Sequence, residues 1–288
     1  MPKSLALVLA VFAVAQTPQP DPSDPLYQSK GEQSRSYVFP GTTERIPYHV
    51  YVPMKWDKNT RLPLVIVTHG AAQPAAAPFQ RPTTNPTLAN TAEDRGFIVA
   101  AVTGYHANAT GVGGWNVPYR MVQVVNAGRG AGARGGGGRA GAAPPTAEDF
   151  QRAEQDILNV ADLMAKEYNV DPNRIYLMGN SSGGSAVWNL AARFPTRWTA
   201  IAPSAAPLED AEFPYEKLKR VPVLVIHGDM DTTMDFAASK AMVDHAKAKG
   251  VDATFLAVPG GAHTDAWAQP AIITQIFDFF DTHKTLPK

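Results

Sequence analysis

Gly179-Asn180-Ser181-Ser182-Gly183 sets a serine midway between two glycines. This is the G-x-S-x-G pattern, in which a sharp strand-to-helix turn lifts a nucleophilic hydroxyl. The flanks supply that context. Ile175 to Met178 is a short β-rich run, and Ser182 to Arg193 carries a helical pattern. A serine on such a turn has a strained backbone, so its neighbours must be small. Ser181 is therefore the expected nucleophile. The N–H of Ser182, at a helix start, is the expected donor to a developing oxyanion. Ser182 and Ser185 also carry hydroxyls, but neither is central in the motif. The bland alternative is a Gly/Ser-rich turn without chemistry, and the strand and helix around it argue against that.

A serine hydroxyl needs a base, and the base needs an orienting acid. On an elbow of this kind the acid and then the histidine follow the serine in the chain. His227, His245, His263 and His283 follow Ser181. His245 and His283 fall in helical patterns near polar ends and read as surface residues. His227 ends a buried strand and reads as a structural turn residue. His263 closes Val258-Pro259-Gly260-Gly261-Ala262-His263, a Gly-rich loop just after the last strand, and is the expected base. His227-Gly228-Asp229-Met230-Asp231 offers two acids, with Asp235 more distant. Asp231 lies further along the turn and can reach towards the His263 loop. Asp229, next to the glycine, is the alternative and better suited to hydrogen bonds within the turn.

A second oxyanion donor is expected from Thr68-His69-Gly70-Ala71-Ala72, where Gly70 lets the backbone approach a substrate and Ala71 offers its N–H. His69 precedes the nucleophile and reads as a brace for this loop. Tyr105 and Trp115 belong to an aromatic, Gly-rich stretch between Thr103 and Pro118. They are candidate substrate-binding residues, with Trp115 stacking on an aryl or sugar group. The competing reading has Trp115 packing its loop onto the body. Trp188, in the helix after Ser181, reads as core.

The elements that must position these groups are legible from hydrophobic periodicity. Residues 36–39 and 45–52 form an expected hairpin around Gly41-Thr42-Thr43. Residues 62–68, 97–102 and 221–226 are continuous apolar runs, the mark of strands buried on both faces. Further strands are expected at 175–178, 198–202 and 254–258, and helices at 148–168, 182–193, 209–218, 236–249 and from 272 onward. Thr146 and Asp149 suit a capping box at the first of these helices. Strand–helix alternation of this kind predicts an α/β class, with a mostly parallel central sheet and helices on both faces.

Composition bounds the rest. The 288 residues are 44% hydrophobic and 18% charged, which suits a large core. Lys plus Arg and Asp plus Glu are both 26, so the net charge is zero and nucleic-acid binding by bulk charge is not expected. With no cysteine, disulfides, thiolate catalysis and thiolate metal sites are excluded. Lys3, the apolar run Ser4 to Ala13 and Ala13-Val14-Ala15 predict a signal peptide over 1–15, cut after Ala15, hence a secreted or periplasmic protein. The apolar run is short of the ~20 residues that span a bilayer, so no stable membrane insertion is expected after cleavage. A Pro-rich linker is expected over 16–33 and a single catalytic domain over 34–288. The tract 127–145 (AGRGAGARGGGGRAGAAPP) interrupts that domain. It is similar to RGG segments that bind RNA, but in an exported protein of zero net charge it reads as a flexible surface insertion.

These pieces together resemble the α/β-hydrolase superfamily, specifically exported esterases related to polyhydroxybutyrate-depolymerase-like and feruloyl-esterase-like enzymes with a prolyl-oligopeptidase-like catalytic domain. The resemblance rests on Leu64 to Gly70, Asp171 to Gly184, His227 to Asp231 and Pro259 to His263, and covers the core from about Ser34 onward. It implies an α/β-hydrolase fold, and it implies that the acid is the last residue of the H-G-x-x-D run, Asp231. It further implies a serine carboxylesterase working through Ser181, His263 and Asp231, without cofactor or metal. The chain departs from the family in lacking the triple-glycine loop of many lipases and esterases after Thr68. The dienelactone-hydrolase branch resembles this fold too, but its cysteine nucleophile is impossible here. Aryl esters, acetylated sugars and polyesters are all compatible substrates. Two other readings stand beside this one. A serine peptidase of prolyl-oligopeptidase type would use the same triad, but such relatives usually carry a gating domain, which is not expected here. A non-catalytic binding protein would have no use for an ordered Ser, Asp and His.

Overall fold

The computed structural model describes residues 17–71, 73–80, 88–105, 115, 117–124, 146–264 and 269–285. The expected signal peptide and the Gly/Arg-rich tract lie outside the described residues. The strands are β1 (Gly31–Val38), β2 (Arg45–Val52), β3 (Leu64–Thr68), β4 (Ile98–Val102), β5 (Ile175–Asn180), β6 (Ala200–Ser204), β7 (Val223–Gly228) and β8 (Ala253–Val258). The helices are α1 (Leu88–Arg95), α2 (Ala147–Glu167), α3 (Ser182–Arg193), α4 (Phe236–Ala248) and α5 (Pro270–Thr282).

The strands form one sheet in the order β1-β2-β4-β3-β5-β6-β7-β8. β1 pairs antiparallel with β2, and β2 antiparallel with β4, while the remaining neighbours are parallel. The central strands are buried on both sides because their alternate residues enter two cores. Leu64 and Ile66 of β3 pack with α2, α3 and α4, while Val65 and Val67 pack with α1 and α5. β4 and β7 split in the same way, Ile98 from Val99 and Val225 from Leu224. This is the period-two geometry of a strand sandwiched between helix layers. The parallel strands share one carboxyl edge, so the loops after β3, β5, β7 and β8 open on the same side of the molecule.

Local signals act as expected at several ends. Thr146 and Asp149 form a reciprocal capping box at α2. Asp235 caps α4 by accepting from the Ala238 amide. Three expectations need correction, and one helix is additional to those expected. Residues 209–218 hold no α-helix, only a single 3₁₀ turn at Tyr215–Leu218, because Pro214 sits at its start and the packing is carried by Phe213 and Tyr215 against Trp188. Helix α1 has no clear sequence signal, since it is short and buries only Leu88, Ala89, Thr91 and Ala92. β6 lies two residues later than the expected 198–202, with Trp198 buried ahead of it. The expected linker over 16–33 gives up residues 31–33 to β1, and the chain before it is tied to α2. There Lys166 Nζ donates to Thr17 Oγ1 at 3.0 Å and the Gln28 amide to Glu167 Oε1 at 2.8 Å. Arg35 of β1 completes this anchor with a buried 2.8 Å ion pair to Glu167.

One buried acid serves the fold. Asp156 of α2 is fully buried and accepts from Tyr37 Oη at 2.6 Å and the Gly104 amide at 2.9 Å. Burial pushes its carboxyl up to about 7, against the lowering effect of those two bonds. A folded-state value raised above the unfolded one makes the native protein hold the extra proton, so stability declines as pH rises from the unfolded carboxylate range through about 7. Asp156→Asn cannot ionise and should remove that decline. In urea denaturation its stability relative to wild type should be more favourable at pH 8 than at pH 5. A difference independent of pH would contradict the assignment.

Candidate active site

Ser181 is the pivot between β5 and α3, with φ 56° and ψ −123°. A side-chain-bearing residue pays for positive φ in strain, and such strain concentrates at functional turns. The surroundings enforce it. The Ser181 amide donates to the Ser204 carbonyl at the end of β6 (2.8 Å), and Ser185 in α3 donates back to the Ser181 carbonyl (3.0 Å). Gly183 is obligatory: a Cβ there would stand 2.4 Å from both the Thr68 and His69 carbonyl oxygens. That close approach presses the start of α3 onto the loop after β3. Thr68 Oγ1 locks the contact by donating to the Gly183 carbonyl at 2.9 Å.

The structure brings Ser181, His263 and Asp231 into one hydrogen-bonded line. His263 Nε2 lies 3.0 Å from Ser181 Oγ, and His263 Nδ1 lies 2.7 Å from Asp231 Oδ2. A carboxylate only accepts, so Nδ1 carries the ring proton and Nε2 is left as the acceptor for the serine hydroxyl. Asp231 and Ser181 are both buried, and the His263 side chain is 20% exposed, so the imidazole faces the opening. Burial by itself would raise the Asp231 carboxyl. Hydrogen bonds from His227, His263 and the Met234 and Thr233 amides outweigh it and hold the group well below the usual carboxylate range. The loops that carry the two partners are fitted together. The Met230 amide donates to the Gly261 carbonyl at 3.0 Å, and a Cβ on Gly228 would meet that same oxygen at 2.0 Å.

Asp229 faces elsewhere. Its Oδ1 accepts from the Gly260 amide at 2.7 Å, a loop-to-loop bond on the exposed side. Asp235 caps α4, His245 pairs with Asp210, and His283 accompanies α5. Ser182 is the first residue of α3, so its amide has no partner within the helix by position. Ala71 sits in an exposed turn after β3, and Ala72 lies outside the described residues. His69 is buried with Nδ1 at 2.6 Å from the Gly70 carbonyl and Nε2 at 2.8 Å from the Thr103 carbonyl. Burial holds it below the ordinary histidine range. It braces the loop, as its position suggested.

The two expected substrate residues are both packed. Tyr105 is 2% exposed and lies against Phe39, with its hydroxyl between Glu44 and Arg152. It is a structural residue, correcting the expectation of a pocket wall. Trp115 is buried too, its ring beside His69 and its Nε1–H donating to the His69 carbonyl at 2.7 Å. That bond fixes Trp115 itself on the loop after β3. From there residues 117–124 cross the carboxyl edge: Val122 donates to the Pro207 carbonyl and Val124 to that of Thr233. Periodicity gave no hint of this strap, because it pairs with loops rather than with strands. Residues 106–114 and 116 lie outside the described residues. No group of three His, Asp or Glu placed to hold a metal ion occurs among the described residues. No helix among them is long and apolar enough to cross a membrane.

Comparisons with known proteins agree with this architecture. The model of the prolyl oligopeptidase family matches residues 146–213 and 204–285. A bifunctional acetylxylan esterase/xylanase of Neocallimastix patriciarum is 26% identical over 189 residues, 65% of this chain. The match spans only 22% of that relative's length. Among solved structures, an S-formylglutathione hydrolase from Agrobacterium tumefaciens superposes with a TM-score of 0.61 at 16% identity, covering 88% of this chain and 95% of its own. A ferulic acid esterase from Anaeromyces mucronatus, in complex with ferulic acid, gives 0.60 at 13% identity, covering 88% and 90%. At such identities the likeness is one of fold.

Proposed function

From a chain that has the α/β-hydrolase fold, we propose a serine hydrolase that cleaves carboxylic esters through an acyl-enzyme. The observation that carries this reading is the line Ser181–His263–Asp231, on a strained elbow at the carboxyl edge of a parallel sheet. His263 takes the Ser181 proton as Oγ attacks the ester carbonyl carbon. Asp231 keeps the ring proton on Nδ1 and stabilises the imidazolium. The tetrahedral oxyanion is held by the Ser182 amide at the start of α3 and by the Ala71 amide. Collapse expels the alcohol, which takes the proton from His263. Water, deprotonated by the same ring, then releases the acid and frees Ser181. No step requires a metal or an organic cofactor. The acetylxylan and ferulic acid esterases among the similar proteins favour acetylated-sugar or aryl esters over peptides. The expected signal peptide makes export the matching location.

A fluorophosphonate probe should label the protein stoichiometrically on Ser181. p-Nitrophenyl acetate, methyl ferulate and acetylated xylo-oligosaccharides should be turned over, and aminoacyl p-nitroanilides should not. Labelling elsewhere, or amide cleavage faster than ester cleavage, would replace the esterase reading with another.

A further inference from the structure

The acid of the proposed triad does not serve His263 alone. Asp231 Oδ2 lies 2.7 Å from His263 Nδ1 and 2.9 Å from His227 Nε2, while Oδ1 accepts the Thr233 and Met234 amides at 2.7 and 3.0 Å. Four donors fill the lone-pair sites of one carboxylate. His227, the last-but-one residue of β7, is wholly buried. The nitrogen facing the carboxylate must carry a proton, so in the neutral ring Nδ1 is an acceptor. Nδ1 receives the hydroxyl of Ser239, a buried residue of α4, at 2.7 Å. A second serine–histidine pair thus mirrors Ser181–His263 across the same oxygen, on the side away from the opening. The ester mechanism makes no use of it.

We propose that His227, held in its Nε2–H tautomer by Ser239, is a positioning residue that aims Asp231 at His263 and takes up part of its charge. The inference rests on the esterase reading for its kinetic consequence, though not for its geometry. Asp231 stands on a short turn, and the two amides pin only Oδ1. Without the His227 donor, Oδ2 is held by His263 alone, the ring that must move and change charge during catalysis. With it, the carboxylate plane is fixed by a group that does neither. The shared bond also weakens the acid as an acceptor, so it stabilises the imidazolium less than an unshared carboxylate would. The ionisable neighbours are His263 on the loop after β8, Asp229, whose carboxylate is engaged by the Gly260 amide, and Asp235 at the start of α4. Phe236 sets its ring edge-on against His227 with centroids 5.7 Å apart, so that side of the imidazole is apolar.

His227→Gln keeps an amide donor for Asp231 and an oxygen for Ser239, whereas His227→Leu keeps bulk alone. With p-nitrophenyl acetate, the leucine variant should lose kcat by about 10–100-fold, the scale of a small misplacement of a catalytic group. Its KM should stay within about threefold, since the lost interaction acts on the transition state. The limb of its pH profile on which the base becomes protonated should move to higher pH. The glutamine variant should recover most of kcat and the wild-type limb. Equal losses in both variants, tracking lowered thermal stability with an unmoved limb, would reduce His227 to a structural role, and wild-type kcat in the leucine variant would overturn the proposal. Should the variants fail to fold, ¹⁵N spectra of the wild-type histidines decide. His227 should carry its proton on Nε2, and a proton on Nδ1 alone would overturn the proposal. A wild-type protein that hydrolyses no ester would defeat the esterase reading and leave the tautomer result standing.

Discussion

Ser181→Ala should lower ester turnover by about 10⁴–10⁶-fold, the loss seen when the nucleophile of a serine triad is removed. The fold should survive it. Ser181 already bears a Cβ at positive φ, so alanine adds no backbone strain, and its side chain makes no capping bond to α3 that the substitution would forfeit. What disappears is the hydroxyl 3.0 Å from His263 Nε2. Fluorophosphonate labelling should vanish with activity, while the melting temperature stays close to that of wild type. A purified variant retaining a tenth of wild-type turnover would place the nucleophile elsewhere.

Asp231→Asn should cost about 10⁴-fold in kcat, as replacing the acid of such a triad does by forcing the wrong imidazole tautomer. The geometry explains why the penalty is large. The amide oxygen of an asparagine would naturally face the Thr233 and Met234 N–H groups, which turns its NH₂ towards His263 and His227. Both rings then meet a donor where they had an acceptor, and each must move its proton to the other nitrogen. For His263 that puts a hydrogen on Nε2, which can no longer receive the Ser181 proton. KM should change little. Asp229→Asn is the control within the same turn. Its amide oxygen can still accept from Gly260, so turnover should stay within about threefold, as expected of a surface substitution away from the reacting atoms. Near-normal kcat in Asp231→Asn, or a collapse in Asp229→Asn, would exchange the roles of the two aspartates.

How Asp231 is held also sets the acid side of stability. A carboxyl held below its unfolded value contributes stability that is present above the unfolded carboxylate range and lost as pH falls through the folded value. Asp156 acts in the opposite sense, favouring the native state while protonated. The two buried acids therefore pull the pH profile in different directions.

Much of this was legible in the sequence because the determining interactions are local. The strand-to-helix elbow at Ser181 follows from small residues that a tight turn requires, and Gly183 meets neighbouring backbone where any side chain would collide. The two-sided burial of β3, β4 and β7 follows from unbroken apolar runs, and the start of α2 from Thr146 and Asp149, three residues apart. The reach of the turns after β7 and β8 was enough to nominate Asp231 and His263. The tertiary structure decided what depends on partners distant in the chain. His227 has no sequence mark distinguishing a turn residue from a second donor on Asp231, because that role depends on Ser239 arriving from α4. Tyr105 has the residue type of a pocket wall, and it becomes a buried brace only because Glu44 and Arg152 converge on its hydroxyl. Trp115 and residues 117–124 are held by hydrogen bonds to the loops after β3, β6 and β7, which no periodicity records. Periodicity reports which face of an element is apolar, and residue type reports what a side chain can do. Which groups meet at one oxygen atom is set by how the elements pack.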